Sequence, residues 1–201
     1  MTFTLPKLIG HRGLRDLAPE NTLCSIKRAV ESNLNFVEVD VKITKDKIPF
    51  LLHDDLLDRT TNGIGLPYKY NYKEIKNLDA GSWVNAKYKN LYPPTLEEVL
   101  IYCNKKNIGL NIELKPNHNF EEDNAHAVAN LIKKKNFSSN VFISSFDLLS
   151  IQIIRNLLPN FYLGYLADNL KNFYNNLKKI KESNCFSIGL NIDIINMDII
   201  T

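Results

Sequence analysis

Short apolar runs and amphipathic stretches take turns along the chain. Residues 8–10, 36–43, 109–114, 141–144, 162–166 and 186–190 read as strands. Between them, Leu23, Ile26, Ala29 and Val30 recur at helical spacing within residues 22–32. Thr95, with Glu98 three positions on, reads as a capping box opening a helix through Val99, Leu100 and Tyr102. Residues 121–134, 147–158 and 169–183 predict further helices, the second stopped by Pro159. Such alternation predicts an α/β domain with a parallel sheet and crossover helices, as an open sheet or a barrel.

One segment breaks the rhythm. Thr44-Lys45-Asp46-Lys47 predicts a turn between two short strands, residues 37–43 and 48–52, and so a hairpin. After it, residues 54–94 are rich in Gly, Asn, Asp, Tyr and Pro, with one amphipathic piece at 72–78. They read as an insertion within a single domain covering residues 1–201. A loop of that length inside a compact domain is usually functional.

Two predicted strands carry polar residues where a parallel sheet should be apolar. In the first, Val37, Val39 and Val41 alternate with Glu38, Asp40 and Lys42; in the second, Leu110, Ile112 and Leu114 alternate with Asn111, Glu113 and Lys115. Period two puts each polar set on one face. Parallel strands are normally apolar on both faces, so these polar faces must line something. In a barrel, the C-terminal ends of the strands converge on a site. Glu38, Asp40 and Glu113 would then meet there, and a divalent cation would remove their repulsion. Oxygen ligands alone favour Mg²⁺, Ca²⁺ or Mn²⁺ over zinc. His11 and His53 each end a predicted strand and suit general acid and base work. Arg12 can grip a phosphate with its planar fork, and Lys115 adds positive charge on the same face. His118 and His126 read as surface residues.

Composition narrows the class. The chain is 44% hydrophobic, and no apolar run approaches the roughly 18 residues that span a membrane. The start, MTFTLPKLIGHRG, has the charged segment and apolar core of no signal peptide. The net charge is only +3, and the Lys105-Lys106, Lys133-Lys134-Lys135 and Lys178-Lys179 clusters fall on predicted helix faces, so no nucleic-acid partner is expected. Cys24, Cys103 and Cys185 are far apart in apolar settings and read as buried thiols of a cytoplasmic protein.

Taken in order, Ile9-Gly10-His11-Arg12-Gly13, Pro19-Glu20-Asn21-Thr22, Val37-Glu38-Val39-Asp40-Val41, His53-Asp54 and Glu113-Leu114-Lys115 resemble the glycerophosphodiester phosphodiesterase family. Arg59-Thr60-Thr61-Asn62-Gly63, Asp79-Ala80-Gly81-Ser82-Trp83, Pro94-Thr95-Leu96-Glu97-Glu98-Val99 and Ser144-Ser145-Phe146 look like that family too. The resemblance implies a TIM-type barrel with a small insertion after the hairpin. It implies metal-dependent hydrolysis of glycerophosphocholine, glycerophosphoethanolamine and similar diesters to sn-glycerol 3-phosphate and an alcohol. Carried onto this chain, Glu38, Asp40 and Glu113 would hold one Mg²⁺ or Ca²⁺, and His11 and His53 would be the acid/base pair. Arg12 and Lys115 would hold the phosphate, while Glu20 and Asn21 would brace the first loop from behind. Trp83 reads first as structural and second as a pocket wall.

Against the family pattern, six barrel strands are counted and the last two are lacking before Thr201; residues 198–201 carry no helix stop. A fragment, a homo-oligomer that closes its core with another copy, and a degenerate remnant are the three readings of that difference. Two other functions share the grammar of the site. One is a lysophospholipase D-like or sphingomyelinase D-like phosphodiesterase; the other is an inactive, truncated binding module.

Overall fold

The computed structural model describes residues 3–135 and 140–195. Helix α1 (Leu23–Glu31) leads into strand β1 (Phe36–Ile43), which pairs antiparallel with β2 (Pro49–Leu51). Residues 54–94 follow, with the one-turn helix α2 (Tyr72–Ile75) and two 3₁₀ turns. Regular alternation then resumes: α3 (Leu96–Lys106), β3 (Gly109–Leu114), α4 (Glu121–Lys135), β4 (Val141–Ser145), α5 (Leu148–Leu157), β5 (Tyr162–Ala167), α6 (Leu170–Glu182) and β6 (Ser187–Leu190). The sheet order is β2-β1-β3-β4-β5-β6, and every pair after β1 is parallel. Consecutive parallel strands lying side by side in chain order are the arrangement of a (β/α) barrel wall.

The helix starts follow from side-chain capping. Thr22, Thr95, Asp147 and Asn169 each accept from a backbone N–H in the first turn of α1, α3, α5 and α6, and Thr95 and Glu98 form the expected reciprocal box. Alternation along the strands then sorts the layers. Val37, Val39, Val41, Leu110, Ile112, Leu114, Val141, Ile143 and Leu163 face the helices and make one core with Ile26, Val99, Val128, Ile132, Ile151 and Ile154. The residues between them face inward. At the N-terminal end that inner face is aromatic: the Phe3 ring stacks 4.3 Å from Tyr162 and lies among Phe36, Phe142 and Phe186. At the other end it is polar.

One expected strand is reduced to a point. Of residues 8–10, only Gly10 pairs with the sheet, through a single bridge to Val37. Pro6 has no N–H to donate, and Leu8 is 71% exposed instead of facing a core. The expected buried thiols are borne out at Cys103, whereas Cys24 and Cys185 are partly exposed; all three are free. Residues 54–94 carry a small core of their own, in which Leu57 and Ile75 pack with Phe50 and Leu52. The lysine clusters on α3, α4 and α6 are exposed, as are His118 and His126. Residues 198–201 lie outside the described residues. Within them, no helix is long and apolar enough to cross a membrane.

Ile112 is fully buried at the centre of β3. Ile112→Ala is expected to cost about 2–5 kcal/mol of stability in urea denaturation. Leu8→Ala, at a position bonded into no strand, is expected to stay within about 0.5 kcal/mol.

Candidate active site

Register explains why the acidic residues meet. Asp40 pairs with Glu113 across the β1–β3 ladder, so the two carboxylates stand side by side on the inner face. Glu38 enters two residues earlier on the same face. Glu38, Asp40 and Glu113 each place a carboxylate oxygen within 4.8 Å of the other two, and all are buried. The convergence expected from the alternation is therefore present. Burial first, then Asp40, drives the Glu38 carboxyl well above its ordinary range. The same two causes raise Glu113, against the pull of Lys115. Lys115 Nζ lies 3.1 Å from Glu113 Oε1 and 3.6 Å from Asp40 Oδ1. Glu38 Oε1 is buried with no hydrogen-bond partner.

The first loop wraps this cluster because its backbone takes conformations few residues adopt. Arg12 and Asn21 are both left-handed, at φ 53° and 54°. Arg12 N–H donates to Glu38 Oε2 at 2.9 Å, and Gly13 N–H donates to the Glu38 carbonyl at 2.9 Å. Gly13 has φ +83°, and a Cβ there would sit 2.3 Å from Ser25 Oγ, so only glycine fits between the loop and α1. Asn21 Nδ2 donates to Asp40 Oδ2 at 2.8 Å, and Asn21 Oδ1 accepts from the Asp40 N–H at 3.1 Å. That pair of bonds fixes the orientation of Asp40.

His11 Nε2 stands 3.8 Å from Glu38 Oε2, with about half its side chain exposed. Burial, then Arg12 and Arg15, hold the imidazole below its ordinary value, which favours the neutral ring. His53 lies two residues past β2, and its Nδ1 is 2.6 Å from Asp54 Oδ1. Arg12 is almost buried; its Nη1 donates to Glu20 Oε1 at 2.7 Å and its Nε lies 3.4 Å from Asp40 Oδ2. Arg59 donates to Glu20 through Nη1 and Nη2 at 3.1 and 2.7 Å, and to Asp54 through Nε and Nη2 at 2.6 and 2.8 Å. Burial works to raise Glu20, but Arg59 and Arg12 outweigh it and hold the carboxyl low. Arg59 holds Asp54 far below the usual carboxylate range, and Asp54 and Glu20 in turn raise Arg59.

Sequence reasoning missed four members of this arrangement. Asp54 and Arg59 stood only as parts of motifs, with no role attached. Lys42 continues the inward alternation of Glu38 and Asp40; it is fully buried and donates to Asp55 Oδ1 at 2.9 Å and to the Lys115 carbonyl at 2.8 Å. Asn117 Nδ2 bonds the Asp55 carbonyl at 3.1 Å, a contact 62 residues apart that no local pattern announces. Trp83 is 42% exposed, and its ring centroid lies 5.8 Å from the Arg59 guanidinium carbon.

Parallel strands in chain order, helices outside and an acidic cluster at the C-terminal strand ends define a protein of the TIM-type barrel class. The chain belongs to the glycerophosphoryl diester phosphodiesterase family, whose pattern matches residues 11–199. It is 41% identical over 153 residues to the YhdW protein of Bacillus subtilis, covering 76% of this chain and 62% of that one. It is 36% identical over 159 residues to a glycerophosphodiester phosphodiesterase of Caldanaerobacter subterraneus, covering 79% of this chain and 65% of the relative. The chain thus spans less than two thirds of the length of these two relatives. A phosphodiesterase of Oleispira antarctica, solved with the product sn-glycerol-3-phosphate, superposes with a TM-score of 0.91 at 33% identity, covering 98% of this chain and 79% of that one.

The raised carboxyls give a pH signature. Without a bound cation, Glu38 and Glu113 keep protons above the ordinary 4.5, so the folded chain binds more protons than the unfolded one there, and stability falls as pH rises through that window. Glu20 and Asp54 act in the opposite window, their stabilisation being lost only as pH falls below ordinary carboxylate values. In chelator, the Tm advantage of Glu38→Gln over the unsubstituted chain is expected to widen from about pH 5 to about pH 7. A constant gap in a thermal-melt series would contradict the assigned burial cost.

Proposed function

We propose that this chain hydrolyses glycerophosphodiesters, such as glycerophosphocholine and glycerophosphoethanolamine, to sn-glycerol 3-phosphate and the free alcohol. The observation that carries the reading is the buried cluster of Glu38, Asp40 and Glu113 with His11 beside it and His53 near enough for its charge to act on His11. The cluster suits a hard divalent cation. Its donors are all oxygen, one of them, Glu38 Oε1, is buried without a partner, and ionising all three together is unfavourable without added positive charge. Glu38, Asp40 and Glu113 would hold Mg²⁺ or Ca²⁺, which when bound supplies charge neutralisation at the phosphate.

The remaining work falls to the protein. Arg12 and Lys115 stand over Asp40 and Glu113 and present positive charge where an anionic phosphate enters. One imidazole takes the proton from the attacking hydroxyl, of water or of the substrate glycerol; in the second case water then opens the cyclic phosphate to give sn-glycerol 3-phosphate. The other gives a proton to the alkoxide as the P–O bond breaks. Glu20 and Asn21 keep Arg12 and Asp40 aimed. The Oleispira antarctica phosphodiesterase was solved with sn-glycerol-3-phosphate, which supports the same product here. We place the reaction in the cytoplasm, on the strength of three free thiols.

The test is release of glycerol 3-phosphate from glycerophosphocholine by the purified chain, with Mg²⁺, with Ca²⁺ and with excess chelator. Turnover is expected with a cation and not with chelator. His11→Ala and His53→Ala are each expected to lower kcat by at least about 100-fold. A folded, monodisperse sample inert under both ions would overturn the reading.

A further inference from the structure

Arg59 is not among the groups assigned to substrate or cation, yet it joins them. Its guanidinium makes four charge-assisted contacts, two to Glu20 at 3.1 and 2.7 Å and two to Asp54 at 2.6 and 2.8 Å. Among the described residues it alone bonds both carboxylates. Glu20 passes the connection to Arg12 Nη1 at 2.7 Å, and Asp54 passes it to His53 Nδ1 at 2.6 Å. Two segments far apart in sequence, the first loop and the stretch after β2, thus share one bridge. The Trp83 ring covers the guanidinium at 5.8 Å. Lysine, a point charge on a flexible stem, cannot make two forked contacts at once.

Resting on the phosphodiesterase reading above, we propose that Arg59 is a positioning residue that yokes Arg12 and His53, setting the guanidinium of the first through Glu20 and the ring tautomer of the second through Asp54. The chemistry of the second arm is specific. Arg59 occupies both Asp54 oxygens, and Oδ1 also faces His53 Nδ1. Asp54 is held ionised and can only accept, so in the neutral ring Nδ1 carries the proton and Nε2 keeps its lone pair for proton transfer. The first arm works by counter-charge. Glu20 is nearly buried between two arginines, and with Arg59 gone it would be free to turn away from Arg12.

The experiment pairs ¹⁵N NMR of the imidazole nitrogens, at a pH where the rings are neutral, with steady-state kinetics on glycerophosphocholine. His53→Ala assigns the His53 signals. The unsubstituted chain is expected to show the Nδ1–H tautomer at His53. Arg59→Ala is expected to shift His53 toward the Nε2–H tautomer, to lower kcat about 10- to 100-fold and, through the loosened Arg12, to raise KM by about threefold or more. Added guanidinium is expected to restore part of both, which it would not do for a general loss of packing. An unchanged tautomer in Arg59→Ala, or kcat within about twofold of the parent, would overturn the proposal. If Arg59→Ala does not fold, Asp54→Asn carries the NMR measurement, and an unchanged His53 tautomer there overturns it equally. A parent chain with no turnover would sink the phosphodiesterase reading, while the NMR arm would still decide whether Arg59 governs His53.

Discussion

Three carboxylates buried within 4.8 Å of one another are the constraint around which this molecule is built. No isolated barrel wall would tolerate them, because each ionised carboxylate raises the cost of the next. The first loop meets that cost with backbone and side chain together. The Arg12 N–H holds Glu38, the Arg12 guanidinium lies over Asp40, and Asn21 grips Asp40 from two directions. Those contacts demand left-handed backbone at Arg12 and Asn21, and an absent side chain at Gly13. Lys115 supplies the charge from the other side. Strain in the loop, glycine in the turn and a lysine at the mouth are thus consequences of one electrostatic demand.

Much of this was legible in the chain. Valine alternating with Glu38 and Asp40 gave both the strand and the face, since period two leaves no other choice. Thr95 with Glu98 announced its helix because a capping box is local chemistry. The first predicted strand failed because apolar character alone does not make a ladder: Leu8 faces solvent and only Gly10 finds a partner. Arg59 and Lys42 were visible as residues but not as parts of the site. Their roles depend on Glu20, 39 positions from Arg59, and on the Lys115 carbonyl, 73 positions from Lys42. Spacing rules do not reach across such separations.

The insertion belongs to the same economy. Its small core ties Leu57 and Ile75 to Phe50 and Leu52, on and just beyond β2. The segment that carries His53 and Arg59 is therefore anchored at both ends, to the sheet edge and to its own packed turns. Lys42 and Asn117 both hold Asp55, linking the start of the insertion to β1 and to the loop after β3. Residues that look like a long irregular connection behave as a clamp on the mouth.

Phe3 and the rings around it close the opposite end of the inner face. The strands that form this floor also form the mouth, in successive rows of the same ladders. A slip of one residue in β1 would turn Glu38, Asp40 and Lys42 toward the helices and Val37, Val39 and Val41 toward the interior. Such a chain would bury three charges in hydrocarbon and lose its core in the same movement. Misfolding by register is thus self-eliminating: a shifted sheet carrying a half-built site has no stable form in which to accumulate.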